Sequence, residues 1–323
     1  MVWNIQMEDF MSTELSRAKL QTRYILRGEL VLNTALHLGA GRTPAKGTDS
    51  PVMRDGWGRP FIPGSSIKGA VRAAVERIVP NFNNNKIRAC GLFDPGAECL
   101  SAMTEEDPLR KDYRKLQEAL GQEIKRDELK NAIAQLLPDY FENENSEGRI
   151  TEKLLLTVLE RDLCSVCKAF GSPFISSSVF FHDAPIVEER WVGITQIRDG
   201  VGIDRDSGRA VDKLKYDYEV VPPDTPFQFS MTIETDDPIS LGLVALGLHE
   251  LVNGNIPLGG IRSRGLGRCR LDSENTSVET VEFGNAEALK AYLTEGKTRT
   301  QSIKEFIDQH ISNLWNSQGG SHV

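Results

Sequence analysis

A polar, Gly/Pro-rich loop between a strand-like pattern and a well-marked helix constrains this chain more than any other stretch. The helix is read from Ile67, Ala70, Val71, Ala74, Val75 and Ile78, spaced i, i+3, i+4, i+7, i+8 and i+11. Ser65 and Ser66 stand where N-caps belong. Lys68 and Arg72, four apart, leave the helix on one side. Upstream, Leu26, Leu30, Leu32, Leu36 and Leu38 take even positions, and Arg23, Arg27, Glu29, Asn33 and His37 take odd ones. That period of two predicts one long half-buried strand from Tyr24 to Leu38, with His37 on its outward face. The loop between carries a carboxylate, Asp49, just before Ser50-Pro51. One acid on a loop, beside a helix start with free N–H groups and two cations, suits a polyanion.

With 323 residues the chain can bury a full core, as one large domain or two. The net charge of -8 argues against nucleic-acid binding driven by bulk charge, but not against a local basic groove. No apolar run approaches the roughly 20 residues of a membrane span. The mixed polar start does not read as a signal peptide. A cytoplasmic protein is expected, its five cysteines reduced or on metal.

In order, residues 1–22 read as an extension and 23–90 as the first part of a core. Residues 91–163 read as a charged, helical insertion, with helices over Tyr113–Gln122 and Glu128–Leu137. The core resumes over 164–272, with strands at Val179–Val187 and at Phe227, Phe229, Met231 and Ile233. Between them, 191–220 is polar and lacks apolar periodicity, which predicts a protruding hairpin or long loop. Leu241, Val244, Ala245, Leu248, Leu251 and Val252 make a second amphipathic helix, closed at Asn253-Gly254. Residues 273–323 read as a helical tail. Two βα halves with an antiparallel return predict an α+β, ferredoxin-like sheet with insertions.

Two motifs carry chemistry besides Asp49. In LGGIRSRGLGRCRL, Leu258 to Leu271, glycines allow close backbone approach and Arg262, Arg264 and Arg268 supply phosphate donors. No Gly-Lys-Ser/Thr follows, and a strand rather than a helix comes next, so neither a Walker loop nor a dinucleotide fingerprint fits. Cys164 and Cys167 form a C-x₂-C knuckle, and Cys90 and Cys99 open the insertion. If the insertion returns to its origin, the four make a tetrahedral site for structural zinc. The alternative is two unrelated pairs of thiols; a redox C-x-x-C lacks thioredoxin-like context. Cys269, mid-strand, reads as core.

GTDSPVMRDGWGRPFIPGSSIKGAVR and LGGIRSRGLGRCRL, with the strand ending Leu36-His37-Leu38-Gly39, resemble the backbone subunits of type III CRISPR effector complexes, members of the RAMP superfamily. The insertion makes a type III-D-like variant the nearest fit, since shorter common members lack it. The resemblance implies an RRM-like ferredoxin core that polymerises along a guide crRNA with other effector subunits, including copies or homologues of itself. It implies that 191–220 is a thumb inserting into the guide–target duplex. It implies that Asp49 is the carboxylate that cleaves complementary target RNA, with Mg²⁺ or another divalent ion and the RNA 2′-OH as nucleophile. RNA contacts are expected from His37, Arg54, Ser65, Ser66, Lys68, Arg72, Gly260, Arg262, Ser263, Arg264 and Arg268.

Other readings stay open. Asp49 also fits an Asx turn before a proline, which would leave a non-catalytic RNA-binding scaffold. A guide-processing ribonuclease would need a histidine-centred site, and only His37 lies near the matched loops. A nucleotide-binding enzyme outside CRISPR systems is the remaining rival.

Overall fold

Strand β1 (Thr22–Leu32) forms because Tyr24, Leu26, Leu30 and Leu32 make one apolar face, while the other carries Arg23, Arg27 and Glu29 along with Ile25 and Val31. Leu26, Leu30 and Leu32 are fully buried on one face, while Arg27 is exposed on the other. The computed structural model describes residues 19–41, 48–82, 87–91, 99–118 and 152–316. The expected extension, up to residue 18, and the expected helix Glu128–Leu137 lie outside the described residues. The chain divides into two compact units, Gln21–Arg77 with Val179–Val323, and Met1–Leu20 with Ile78–Ser178. Among the described residues no helix is long and apolar enough to cross a membrane.

In the first of these units β1 is followed by β2 (Phe61–Ile62) and α1 (Gly64–Ile78). Then come β3 (Val179–Phe181), β4 (Ala184–Pro185), the hairpin β5 (Gln196–Ile203) and β6 (Ala210–Val220), and β7 (Pro226–Ile233). The main sheet is antiparallel and includes β3, β7 and β1, with β8 (Cys269–Leu271) on β1. The apolar stripe of α1 is buried at Ile67, Val71, Ala74 and Val75. Phe227, Phe229, Met231 and Ile233 of β7 are buried against β1, each such side chain contributing about 1.5–3 kcal/mol. The second predicted helix is Pro238–Val252, capped by Asp237 through the N–H groups of Ile239 and Ser240 and closed by Asn253.

Several expectations need correction. The long strand stops at Leu32, because the chain turns and Asn33 and Thr34 donate their N–H groups to Arg268 O. After that turn Ala35, Leu36, His37 and Leu38 are all buried, so His37 is buried rather than outward. Helix α1 starts at Gly64, whose N–H is accepted by Asp183 Oδ1 at 2.8 Å, and Ser65 and Ser66 sit in its first turn instead of capping it. Val179–Val187 is two short strands, since β3 continues the main sheet while β4 pairs with β2. The region after Asp272 is not purely helical. It adds β9 (Ser277–Glu282) and β10 (Arg299–Ser302) to the sheet, besides helices Ala286–Glu295 and Ile303–Asn316.

Strand β9 pairs with β1 over Thr22–Arg27 and β8 pairs with it over Leu30–Leu32, so two strands share one side of β1 end to end. Gly28 lies at the joint, where a Cβ would meet Thr276 Oγ1 at 2.0 Å. The second unit is helical, with α2 (Pro108–Glu118), α3 (Glu152–Asp162) and α4 (Ser165–Phe170). It extends from Ile78 to Ser178, wider than the expected 91–163, so both halves of the cysteine set fall inside it.

The joint at Gly28 yields a first prediction. Gly28→Ala forces Thr276, itself hydrogen-bonded to Asp272 O at 2.5 Å, out of place. Urea unfolding should show a loss of about 1–3 kcal/mol; an unchanged midpoint would mean the crossing has slack.

Candidate nucleic-acid interface and metal centre

The end of β6 reads Tyr216-Asp217-Tyr218-Glu219, and strand alternation sends the two acids to one face. Both acids grip the Asp49 loop. Asp217 Oδ1 accepts the Thr48 hydroxyl at 2.6 Å and the Asp49 N–H at 2.8 Å. The Asp217 N–H donates in return to Asp49 Oδ2 at 3.2 Å. The Thr48 hydroxyl and the Asp49 N–H hold the Asp217 carboxyl below the usual carboxylate range. Glu219 Oε2 accepts the Val52 N–H at 2.9 Å, and Oε1 takes Arg54 and the Thr195 hydroxyl. Burial works against the charged form of Glu219, yet those donors together keep its carboxyl below the usual range. The Glu219 backbone adds an N–H to Ser50 O at 3.0 Å. Asp49 itself is exposed.

His37 completes the frame from below. Its Nδ1 lies 2.7 Å from Glu219 O, so it is the protonated nitrogen, because a carbonyl can only accept. Nε2 is then the acceptor for the Ser50 hydroxyl at 3.3 Å. The ring also packs edge-on against Tyr218, with centroids 5.6 Å apart, and Tyr218 stacks on Tyr216.

The Gly-rich loop closes against the same residues. Gly260 N–H donates to His37 O at 2.9 Å. Gly259 has φ +75 and a Cβ there would meet His37 O at 2.2 Å, so only glycine fits. Leu266 of this loop packs with Ala35 and Val220 in a small core. Arg262, Ser263, Arg264 and Arg268 are exposed, and the Arg264 guanidinium hydrogen-bonds the Tyr216 hydroxyl.

Asp49, His37, Arg54, Gly260 and Arg264 are thus gathered around β6. Arg54 is engaged by Glu219, Thr195 and Gly58 O, which makes it a brace of the loop. Ser65, Ser66, Lys68 and Arg72 lie apart on α1, where Lys68 Nζ reaches Val179 O at 3.3 Å and Arg72 pairs with Glu76 at 2.8 Å. Sequence reasoning missed Thr48, Thr195, Asp217 and Glu219. The tyrosine–acid alternation over residues 216–219 was the available signal.

The cysteines of the helical unit converge independently. The Sγ atoms of Cys90, Cys99, Cys164 and Cys167 lie within 4.8 Å of one another, and all four residues are buried. Cys90 Sγ is 3.6 Å from both Cys164 and Cys167 Sγ. A tetrahedron with Zn–S of about 2.3 Å has edges of about 3.8 Å, so the spacing fits a thiolate-bound metal such as zinc. The Cys164 N–H points at Cys99 Sγ (3.3 Å) and the Cys167 N–H at Cys164 Sγ (3.4 Å), donors that favour thiolates. Hydrogen bonds among the thiols push Cys90 and Cys164 up and Cys99 and Cys167 down, Cys167 to about 7.

A family model for the RAMP superfamily matches residues 29–270, and the chain belongs to that superfamily. It is also similar to two archaeal proteins, each named "CRISPR system Cms endoribonuclease Csm3". The one from Methanocaldococcus jannaschii is 48% identical over 60 residues, 18% of this chain and 24% of the relative. The one from Methanothermobacter thermautotrophicus is 34% identical over 93 residues, 26% of this chain and 38% of the relative. The matched stretches therefore span well under half of each relative's length.

Glu219 gives a pH prediction. Its folded pKa is lowered, so its ionised form adds stability that is complete above the unfolded value of about 4.3 and is lost as pH falls through the folded value. Thermal unfolding should find wild type more stable than Glu219→Gln at neutral pH, with the gap closing in acid. A gap independent of pH would contradict this account of the loop.

Proposed function

We propose that this chain is a guide crRNA-binding backbone subunit of a type III, type III-D-like, CRISPR effector complex, and that it cleaves complementary target RNA as an endoribonuclease. The observation that carries the reading is the Asp49 carboxylate, exposed on a loop clamped to the root of a protruding hairpin. The superfamily match and the endoribonuclease named in the similar proteins support it. The antiparallel sheet, with α1 between β1 and β3 and a second helix between β7 and β8, supports a ferredoxin-like core. On this reading the core packs beside other effector subunits, copies or homologues included, in the cytoplasm.

Asp49 serves as the negative, oxygen-donor group beside the scissile phosphate. The donor suits Mg²⁺ or another hard divalent ion, whose chemistry is neutralisation of charge developing on the phosphate. The RNA 2′-OH is the nucleophile: its oxygen bonds to the adjacent phosphorus as the P–O5′ bond breaks, leaving a 2′,3′-cyclic phosphate and a 5′-OH that takes up the proton. Arg262, Ser263, Arg264 and Arg268 grip backbone phosphates, and Gly260 lets the chain approach the RNA closely. Lys68 and Arg72 reach the guide only by exchanging their present partners, Val179 O and Glu76, for phosphate. Ser65 and Ser66 offer hydroxyls beside them. His37, buried and tied at both nitrogens, holds the loop against β6 and meets RNA only through its neighbours. The hairpin is the thumb, with Ile197, Val201 and Ile203 exposed for insertion into the duplex.

One observation favours a non-catalytic scaffold: the Asp49 carboxylate already accepts a protein hydrogen bond, as a structural residue would. The two readings separate in the reconstituted complex with guide, labelled target and Mg²⁺. Asp49→Ala should lower the cleavage rate at this subunit's site by about 100-fold or more, with guide content unchanged. An unchanged ladder would leave the chain a scaffold.

We also assign zinc to Cys90, Cys99, Cys164 and Cys167 as a structural staple of the helical unit. Metal analysis of the purified chain should find about one zinc, absent from Cys164→Ser/Cys167→Ser, whose helical unit should become protease-sensitive. Equal metal content in both proteins would refute the site.

A further inference from the structure

We infer that Asp217 is a positioning residue for Asp49, acting as an acceptor that fixes the loop and, through its own N–H, aims the reacting carboxylate. The inference rests on the nuclease reading and deepens it. Two donors from consecutive residues, the Thr48 hydroxyl and the Asp49 N–H, converge on a single oxygen, Asp217 Oδ1, at 2.6 and 2.8 Å. The return bond, Asp217 N–H to Asp49 Oδ2 at 3.2 Å, lands on the side chain that would react and not on its backbone. Asp49 is exposed, so without this contact its χ1 is free among staggered wells.

Glu219 already secures the later part of the loop, at Ser50, Val52 and Arg54, together with Thr195. Asp217 holds the earlier part, at Thr48 and Asp49, where the chemistry is. Its place on β6 has a further consequence. Asp217 pairs with Asp199 across the hairpin ladder, so the strand that reaches out as the thumb is the strand that orients Asp49. A thumb seated in the duplex and a correctly aimed carboxylate are then one geometric condition. Misplacement of a reacting group by about 1 Å costs on the order of 100-fold in rate.

The test is single-turnover target cleavage at saturating target, in the fully assembled, guide-loaded complex with Mg²⁺. Asp217→Ala should slow cleavage by about 10- to 100-fold, with target affinity and guide content unchanged. Both variants keep the backbone N–H; Asp217→Asn also keeps a side-chain oxygen acceptor, and should restore the rate to within about threefold of wild type. Thr48→Val removes one of the two donors and should cost a few-fold, which covers the case of Asp217→Ala failing to assemble. Wild-type rates in Asp217→Ala or in Thr48→Val overturn the proposal. So does Asp217→Asn as slow as Asp217→Ala, because the charge and not the acceptor geometry would then matter. These results remove the proposal alone when Asp49→Ala is inactive; an active Asp49→Ala removes the nuclease reading with it.

Discussion

The carboxylate of Glu219 is the point on which the candidate site depends. A buried acid is costly unless nearly every lone pair finds a donor, and here a backbone N–H, a hydroxyl and a guanidinium supply them. The donors come from two segments: Val52 and Arg54 from the Asp49 loop, Thr195 from the strap leading into the hairpin. Burying the charge therefore forces these segments together. The arrangement is cooperative in the strict sense that no one contact satisfies the carboxylate without the others.

Around that node β6 behaves as a two-sided template. One face presents the acids to the Asp49 loop; the other stacks Tyr216 and Tyr218, with Tyr218 against His37 and Tyr216 bonded to Arg264. Strand periodicity alone keeps the two chemistries apart, since neighbouring side chains point to opposite faces. His37 links them, joining Glu219 O to the Ser50 hydroxyl while its own carbonyl receives Gly260. Asp49, proposed for catalysis, and Arg264, proposed for RNA contact, are in this way set by one backbone, with a common register.

Much of this was legible in the sequence, and the failures share a cause. Helix α1 and strand β7 were readable because each buries one continuous face, which leaves a clean period. The cysteine set was readable because metal-ligand spacing is local at the knuckle. The end of β1 was not, since Leu36 and Leu38 keep the alternation after the chain has turned to bond Arg268. Burial alone does not tell a strand from a segment that crosses between strands. His37 was misplaced for that reason. Strands β9 and β10 were hidden too: β10 is the short polar run Arg299–Ser302, defined only by its backbone pairing with β9. Asp217 and Glu219 look like ordinary surface acids in a polar hairpin. Their partners in the Asp49 loop are 165 or more residues away, and Thr195 is 24 residues from Glu219, beyond any local window.

The net charge of -8 would seem to oppose the proposed RNA-binding face, and the local geometry removes that objection. Charges separated by more than about 8 Å of water are largely screened at physiological salt, so local arrangement outweighs the sum. Near the Gly-rich loop, the closest acids of β6 turn to the other side of the strand. There Glu219 is neutralised by Arg54, and Asp217 is satisfied by neutral donors. Arg262 and Arg268 remain exposed, and Arg264 is held by an uncharged phenol, which orients its guanidinium without cancelling its charge. Pairing Arg264 with a carboxylate in the same place would have fixed it equally well and left it unable to attract a phosphate. The choice of tyrosine over acid at position 216 is thus what lets one acidic chain carry a cationic edge beside an anionic loop.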